Sequence, residues 1–416
     1  MATVVLLGTL DTKGPEFRFV RDEVRRAGCD TILVDAGVLE PSSLADVSSD
    51  VVAAAGGADR TALAAGGDRG HAIASMTRGA IEVVRQLHAE GRLDAIAGLG
   101  GSGGTALVAA AMRALPIGVP KLLVSTMASG DTRPYVGTSD VTLMHSIVDI
   151  AGLNRISRRV LANAAAATAG MARQASRADD RPDGRPCIGA TMFGVTTPCV
   201  TAAREVLESR GYEVLVFHAT GTGGRAMEDL IRSGVITGVL DVTTSELADD
   251  LVGGVCSAGP DRLEAAGTLG LPQVVSLGAL DMVNFGPLDT VPRRFRGRTL
   301  VEHNAAVTLM RTSEAECAEL GRVLARKLNE ATGPLVVFVP GDGLSMLDAP
   351  GRPFHDPAAD AALTRELKAG LRPGIEVVEV ATDINDPAFG RAMAERLDDL
   401  YRVWAEPLPA AVAGRC

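Results

Sequence analysis

The sequence predicts an α/β protein with two Rossmann-like, doubly wound subdomains whose mostly parallel sheets face a cleft. Short runs rich in Val, Ile and Leu alternate with helical stretches along all 416 residues. Continuous apolar strands that alternate with helices are typical of a parallel sheet covered on both faces. The 47 glycines cluster after the apolar runs, at the turns where α/β proteins bind ligands.

The first predicted subdomain covers residues 1–178. Its long Ala-rich final helix closes the unit, and the segment after the second strand has no clear pattern. The predicted elements are a strand ending at Gly8, a helix at about 16–27, a strand at 31–35, a helix at about 71–90, a strand at 94–100, a helix at 104–114, a strand at 121–126 and a helix at 155–175.

The second predicted subdomain covers residues 186–416 and follows a charged, turn-rich segment, 178–186, which we expect to be the linker. The spacing from its first strand to its second almost repeats that of the first subdomain, so the two units are interpreted as related. The predicted strands lie at 188–194, 212–218, 236–241, 272–277, 335–340 and 375–380.

Composition excludes several classes of function. The formal net charge of -10 disfavours binding to nucleic acid or to an anionic membrane, and the 3% of aromatic residues offers no stacking platform. The six cysteines have no CxxC spacing, which fits a reducing compartment. The N-terminal apolar run is too short for a signal peptide, and no stretch approaches the roughly 20 residues of a membrane span. We therefore expect a soluble cytoplasmic protein.

The strongest candidate site is the glycine-rich stretch G-L-G-G-S-G-G-T. It follows a strand and opens a helix, so its backbone N–H groups can point at a phosphate or carboxylate. The next strand lacks the terminal acid that holds a ribose, which disfavours a nicotinamide cofactor. The alternative is a turn required for packing alone. The predicted ligand-binding residues here are Gly100, Gly101, Ser102, Gly103, Gly104 and Thr105.

A second candidate lies where the first strand meets its helix. Lys13 could contact phosphate as a point charge, and Asp11 or Glu16 could hold Mg²⁺. The alternative is helix capping by Asp11 or Thr12. Asp35 ends the next strand and could touch a ribose, although such a residue is as often a turn former. The predicted contacts are Gly8, Thr9, Asp11, Thr12, Lys13 and Asp35.

A third candidate follows the fourth strand, in S-T-M-A-S-G-D-T-R-P-Y-V-G-T-S-D at 125–140. Hydroxyls and backbone amides suit phosphate oxygens, and an arginine can pair with phosphate through two hydrogen bonds. The alternative is an ordinary polar loop. The residues assigned to the ligand are Thr126, Ser129, Gly130 and Arg133, whereas His145 is expected to be a core histidine.

The second subdomain also carries polar residues after its strands. They indicate a second site or another wall of a shared cleft, although each taken alone is more often a turn. No H-E-x-x-H motif occurs, which disfavours zinc proteases. The candidate substrate residues are His218, Thr220, Asp281, Asn284 and His303, and the loop 340–357 has no assigned role.

Four motifs together resemble uncharacterised protein family 0261, which also forms the amino-terminal half of the tomato mosaic virus resistance protein. They are G-T-L-D-T-K-G-P-E at 8–16, G-L-G-G-S-G-G-T at 98–105, S-T-M-A-S-G-D-T-R-P-Y-V-G at 125–137 and S-M-L-D-A-P-G-R-P-F-H-D-P-A-A-D at 345–360. The resemblance runs over almost the whole chain. It implies two α/β subdomains around a cleft, ATP as cofactor and nucleotide contacts from the loops 8–16, 100–105 and 126–133.

Two functional hypotheses follow. The first is an ATP-binding protein without an assigned reaction, working with a TIM-barrel partner, because the plant relative continues into such a barrel. The second is a metabolic enzyme, either a phosphotransferase or an ATP-independent lyase or hydrolase, acting on a small anionic keto or hydroxy acid in the cleft. Phosphoryl transfer would require Mg²⁺ between a carboxylate and the phosphates. We expect a homodimer in either case.

Overall fold

The structure is a computed structural model that describes residues 1–176 and 184–406. The chain divides into two compact units, residues 1–181 and 182–416. Most of the predicted linker, 178–186, including the predicted end of the first subdomain at residue 178, lies outside the described residues. Among the described residues, no helix combines the length and apolar character required to cross a membrane.

The first unit contains five strands and seven helices among its described residues. The strands are β1 (Thr3–Gly8), β2 (Asp30–Asp35), β3 (Ala95–Gly100), β4 (Lys121–Ser125) and β5 (Val141–His145). The helices are α1 (Leu10–Arg26), α2 (Ser49–Ala55), α3 (Arg60–Ala65), α4 (Arg69–Ala89), α5 (Ser102–Arg113), α6 (Arg133–Val136) and α7 (Arg155–Ala175).

The five strands of the first unit form one parallel sheet in the order β2-β1-β3-β4-β5. Helices α1 and α7 pack against one face of the sheet, and α2, α4 and α5 pack against the other. The central strand β3 is buried at every position, as expected for a strand covered on both faces. The strand order reverses between β1 and β3, and open α/β sheets bind ligands at this switch point, beyond the carboxyl ends of the strands.

The second unit repeats this architecture and adds a small sheet. Its strands are β6 (Cys187–Met192), β7 (Glu213–His218), β8 (Gly238–Thr243), β9 (Gln273–Gly278), β10 (Met282–Phe285), β11 (Leu300–Asn304), β12 (Val307–Arg311), β13 (Leu335–Pro340) and β14 (Glu376–Val380). Its α-helices are α8 (Thr197–Ser209), α9 (Thr222–Arg232), α10 (Glu246–Val252), α11 (Ala265–Thr268), α12 (Glu314–Asn329), α13 (Pro357–Gly370) and α14 (Pro387–Ala405).

The large sheet of the second unit is parallel and has the order β7-β6-β8-β9-β13-β14. Its first five strands follow the same order as the sheet of the first unit, with β6 in the place of β1 and β8 in the place of β3. The prediction of two doubly wound α/β subdomains with mostly parallel sheets is therefore confirmed. The exception is the antiparallel sheet β10-β12-β11, which the sequence did not indicate.

The start of α1 differs from the prediction. The helix begins at Leu10 rather than near Glu16, and its backbone departs from helical geometry at Lys13, where φ is -132°. The proline at position 15 lies just beyond this kink and cannot donate a backbone hydrogen bond. Asp11 and Thr12 therefore lie in the first turn, and the N-cap residue, Thr9, makes no side-chain capping bond.

Candidate functional site

A cavity of about 600 Å³ opens at the carboxyl edge of the first sheet. Segments that follow β1, β2 and β3 contribute to its wall, so the cavity lies at the switch point between β1 and β3. Its volume falls within the roughly 300–1,000 Å³ of typical small-molecule sites. The predicted site residues that line it are Thr9, Asp11, Thr12, Lys13, Gly101, Ser102, Gly103 and Gly104.

The amino-terminus of α5 forms one wall of this cavity. The N-cap residue Gly101 has no side chain that could satisfy the helix, and the first turn of an α-helix leaves its N–H groups without intrahelical partners. The first partner found within the helix is for Thr105, whose N–H donates to the carbonyl of Gly101 at 2.8 Å. The amides of residues 102–104 and the positive end of the helix dipole are thus available to an anion.

The glycines of this turn have different roles. A Cβ atom on Gly100 would lie 2.9 Å from backbone atoms of Gly104 and Thr105, so Gly100 allows the close approach of the strand end to the helix. A Cβ atom on Gly103 would meet only the ends of two side chains, Ile73 at 3.4 Å and Arg69 at 3.8 Å. Gly103 therefore keeps the gap between α5 and α4 open, and this gap is part of the cavity.

The side chains at the start of α1 are engaged with neighbouring loops. The ammonium of Lys13 donates to the carbonyl oxygen of Ile150 at 2.6 Å. The buried carboxylate of Glu16 accepts from the amide of Gly152 at 2.5 Å. The hydroxyls of Thr9 and Thr12, at the start of α1, lie 3.1 Å apart. Lys13 lines the cavity, whereas Glu16 does not.

Asp11 is the carboxylate of the segment 8–16 that faces the cavity. Its Oδ2 accepts hydrogen bonds from the amides of Val38 and Leu39, both at 3.1 Å, while its Oδ1 is buried without a hydrogen-bond partner. A buried oxygen without a partner is a candidate cation ligand. Among the described residues no group of three or more His, Cys, Asp or Glu side chains is arranged to hold a metal ion by itself.

Asp35 and Thr105 are fully buried and serve the fold. The carboxylate of Asp35 accepts from the amides of Leu10, Gly37 and Ser42, and burial raises the pKa of this carboxyl despite those bonds. The hydroxyl of Thr105 lies 2.6 Å from that of Ser125. Neither Asp35 nor Thr105 lines the cavity, and the same is true of Gly8 and Gly100.

The residues predicted after β4 also lie outside the cavity lining. Thr126 is half-buried beside the glycine turn, and its amide donates to the carbonyl of Gly100 at 3.3 Å. Ser129 and Gly130 are exposed. The guanidinium of Arg133 pairs with Asp131 at 2.7 Å, and this pairing lowers the pKa of the Asp131 carboxyl to about 2.

The structure also brings residues to the cavity that the sequence reasoning missed. Arg69, at the start of α4, lines the cavity, and within the described part of the chain its exposed guanidinium makes no hydrogen bond or ion pair. Helix α4 is capped by Asp68, which accepts from the amide of His71 at 2.9 Å. The signal was the stretch G-G-D-R-G at 66–70, in which turn glycines flank an N-cap aspartate and an arginine.

The cavity is chemically divided. Its polar wall consists of the starts of α1 and α5 together with Arg69. Its apolar wall comes from the segment after β2 and from α3, α4 and α5, and none of the apolar residues in it was among the predicted site residues. The apolar lining residues are Val38, Leu39, Leu63, Ala64, Ala72, Ile73, Met76 and Leu107.

In the second unit the predicted substrate residues are dispersed. His218 is exposed at the end of β7, where its ring lies 5.4 Å from that of Phe193. Thr220 donates its hydroxyl to the carbonyl of His218 at 3.3 Å. His303 is exposed on β11, within the unpredicted antiparallel sheet.

Asp281 and Asn284 are completely buried. Asp281 accepts from the hydroxyl of Ser345 at 2.7 Å, and burial raises the pKa of its carboxyl. Asn284 donates its side-chain amide to Asp249 at 2.8 Å. Burial likewise raises the pKa of the Asp249 carboxyl, to about 7.

The family models match both units of the chain. The N-terminal domain of the uncharacterised protein family UPF0261 matches residues 2–177, and the C-terminal domain of the same family matches residues 185–401. The chain belongs to the UPF0261 family.

Two relatives and one distant solved structure are similar to this UPF0261 chain to different degrees. A UPF0261 protein of Clostridium tetani is 50% identical over 396 residues, covering 95% of this chain and 98% of the relative. The ToMV resistance protein Tm-1(GCR237) of Solanum lycopersicum is 44% identical, covering 94% of this chain but 55% of the tomato protein. A solved UDP-N-acetylglucosamine 2-epimerase from Rickettsia bellii has 13% sequence identity and a TM-score of 0.21, over 65% of this chain and 78% of the epimerase. This structure is too distant to support an inference.

The two units of this UPF0261 chain differ where their third strands end. In the second unit β8 leads to Glu246, which is completely buried and accepts from the amides of Gly221 at 2.6 Å and Gly224 at 3.0 Å. Glu246 also pairs with the buried guanidinium of Arg262 at 2.6 Å. The carboxylate of Glu246 therefore holds the amides at the start of α9, the helix that follows the neighbouring strand β7, whereas in the described first unit the N-cap residue of α5 makes no side-chain hydrogen bond.

Proposed function

We propose that the first unit binds a phosphate-bearing nucleotide, with ATP as the expected ligand. The observation that carries this proposal is the cavity of about 600 Å³ at the switch point, walled by the uncapped start of α5. Backbone amides at a helix amino-terminus are a recurrent phosphate site in α/β proteins. The family resemblance implies the same ligand.

The chemical division of the cavity assigns parts of such a ligand to its two walls. The phosphates would lie against the amides of residues 102–104, within reach of Arg69 and Lys13. The base and sugar would contact the apolar wall formed by α3 and α4. Because the chain carries a formal net charge of -10, the local positive groups must supply the attraction for an anion.

A magnesium ion accompanying the nucleotide would find one suitable protein ligand. Asp11 lines the cavity and has a buried oxygen without a partner, so it fits a site completed by phosphate oxygens and water, as is usual for Mg²⁺. Glu16 does not fit this role, because its carboxylate is buried against Gly152 and does not line the cavity. A bound ion would neutralise phosphate charge beside Asp11.

Titration calorimetry with ATP and Mg²⁺ tests the assignment. Replacing Arg69→Gln should weaken ATP binding by roughly 10- to 100-fold, because a charge-assisted hydrogen bond contributes about 1.5–3 kcal/mol. Arg293→Gln, at an exposed arginine of the second unit, is the matched control and should bind ATP as the wild type does. A wild-type protein that does not bind ATP, or an Arg69→Gln protein with unchanged affinity, refutes the assignment.

Binding alone does not distinguish a regulatory module from an enzyme. We favour a nucleotide-binding module that works in the cytoplasm, as a homodimer and with a separate barrel protein as partner, since the tomato relatives extend well beyond the matched region. Incubation with ATP and Mg²⁺ should then release no ADP. Steady ADP release would contradict the module; if it rises when a small hydroxy acid is added as phosphoryl acceptor, it would support the phosphotransferase alternative. Sedimentation velocity would test the dimer.

A further inference from the structure

The segment between β5 and α7, residues 146–154, accepts a hydrogen bond from a side chain that lines the nucleotide cavity. We call this segment the β5–α7 loop. Lys13 is the residue that both lines the cavity and contacts the loop, through its ammonium and the carbonyl of Ile150. A second tie runs from Glu16 to the amide of Gly152, one turn further along α1 and outside the cavity lining.

The tied loop has an unfavourable backbone. Ile147 has a φ of +66°, a region that β-branched residues rarely adopt. The residue is 64% exposed, so packing does little to compensate for this conformation. Residues held in sparsely populated backbone regions persist only where the surrounding contacts fix them. The ties from α1 are such contacts.

A bound phosphate would compete for the ammonium of Lys13. The carbonyl of Ile150 is neutral, whereas a phosphate oxygen carries negative charge, so the phosphate adds a Coulombic attraction for the ammonium that the carbonyl lacks. The lysine side chain is flexible enough to turn from one acceptor to the other. The carbonyl of Ile150 would then lose its partner, and the strained backbone at Ile147 could relax.

We propose that Lys13 is a ligand-released tether, which holds the β5–α7 loop in the free protein and frees it when a nucleotide phosphate binds. This inference rests on the proposed nucleotide site, and it adds a second role to Lys13. It makes the loop the segment that reports occupancy of the cavity to the surface of the first unit.

Hydrogen–deuterium exchange of peptides covering residues 146–154 tests the tether. In the free wild type these amides should exchange slowly, and saturating ATP with Mg²⁺ should speed their exchange about 5-fold or more. In Lys13→Met the loop should exchange rapidly without ATP and change little on its addition. Arg18→Met, at an exposed arginine of the same helix, is the control and should behave as the wild type does.

A second variant separates regulation from direct contact. Glu16→Gln weakens the other tie without touching the cavity lining. Because coupling between a loop and a ligand is reciprocal, a looser loop should bind ATP more tightly, which loss of a merely structural contact would not produce. Unchanged or weaker ATP binding by a folded Glu16→Gln protein contradicts the tether.

The other possible results separate a failure of the tether from a failure of the nucleotide site. If calorimetry shows ATP bound to the wild type while loop exchange stays constant or slows, the tether is wrong and the nucleotide site stands. If the loop of free Lys13→Met exchanges as slowly as that of the wild type, the lysine does not hold it, and the tether is again wrong. If ATP does not bind the wild type, both proposals fall together.

Discussion

A single methyl group at Gly103 should raise the stability of the fold and lower its affinity for nucleotide. Gly103 lies in the first turn of α5, and a Cβ atom there would meet Ile73 at 3.4 Å, an ordinary contact distance. Gly→Ala replacements at compatible sites stabilise proteins by about 0.4–1 kcal/mol. For a unit of this size that corresponds to a rise of roughly 1–4 °C in the thermal midpoint.

The same methyl group would narrow the gap between α5 and α4, where the phosphates are proposed to lie. We expect Gly103→Ala to weaken ATP binding about tenfold, equivalent to about 1.4 kcal/mol. Gly170→Ala is the matched control, because Gly170 lies within α7 and an added Cβ there would meet nothing within 4 Å. That variant should gain stability by a similar amount and keep its affinity.

Scanning calorimetry and titration calorimetry on the two variants measure both effects. A Gly103→Ala protein that is as stable as the wild type or more so, and that binds ATP within twofold of it, would refute the reasoning that this turn faces the ligand. A Gly170→Ala protein with reduced affinity would show instead that general changes in stability alter binding.

Three further predictions concern the fold around the site and in the second unit. Arg262→Met should lower the free energy of unfolding by about 3–5 kcal/mol, because Asp241 and Glu246 would stay buried without their partner. Urea unfolding followed by the fluorescence of the single tryptophan, Trp404, measures this loss. Arg293→Met, at an exposed arginine, is the control. Burial raises the pKa of Asp249 from 3.8 to about 7, so the folded state binds more protons than the unfolded state between these pH values. The urea midpoint should therefore fall as the pH rises from 4 to 7. An Asp249→Asn protein whose midpoint depends on pH with the same slope would contradict this. Gly37→Ala should destabilise the first unit by about 1–3 kcal/mol, since the new Cβ would lie 2.5 Å from the Asp11 carboxyl carbon. An unshifted thermal midpoint would show that the Asp11 side chain moves aside freely.

The sequence was sufficient for the fold wherever strands are buried on both faces. Continuous apolar runs such as those of β1, β3 and β13 are buried throughout or nearly so, and they were placed correctly. The edge strand β5 was missed because it is only half-buried and carries Thr142 exposed among apolar residues. The antiparallel sheet was missed because polar residues such as Asn284 and Thr308 are buried in its short strands.

The candidate site was predictable only in part, because sequence cannot tell which charged groups have partners within the protein. Glu16 is satisfied by an amide 136 positions away, and Asp35 by the amide of Leu10 at the start of α1 and by two amides of the loop after β2. Both carried the same local signal as Asp11, which keeps an oxygen without a partner. Arg69 was overlooked because it follows a stretch with no regular pattern, although it lies beside Gly103 in the folded unit.

The comparison of the two units explains why one edge of the fold is suited to an anion and the other is not. Both sheets have the same switch point, so topology alone offers two equivalent sites. In the second unit Glu246 contributes a carboxylate of the protein itself, which holds the amides at the start of α9 and is neutralised by Arg262. In the first unit the corresponding strand, β3, leads into the glycine-rich start of α5, and Lys13 and Arg69 line the cavity. The phosphates of the proposed nucleotide would supply at this site the negative charge that Glu246 supplies in the second unit.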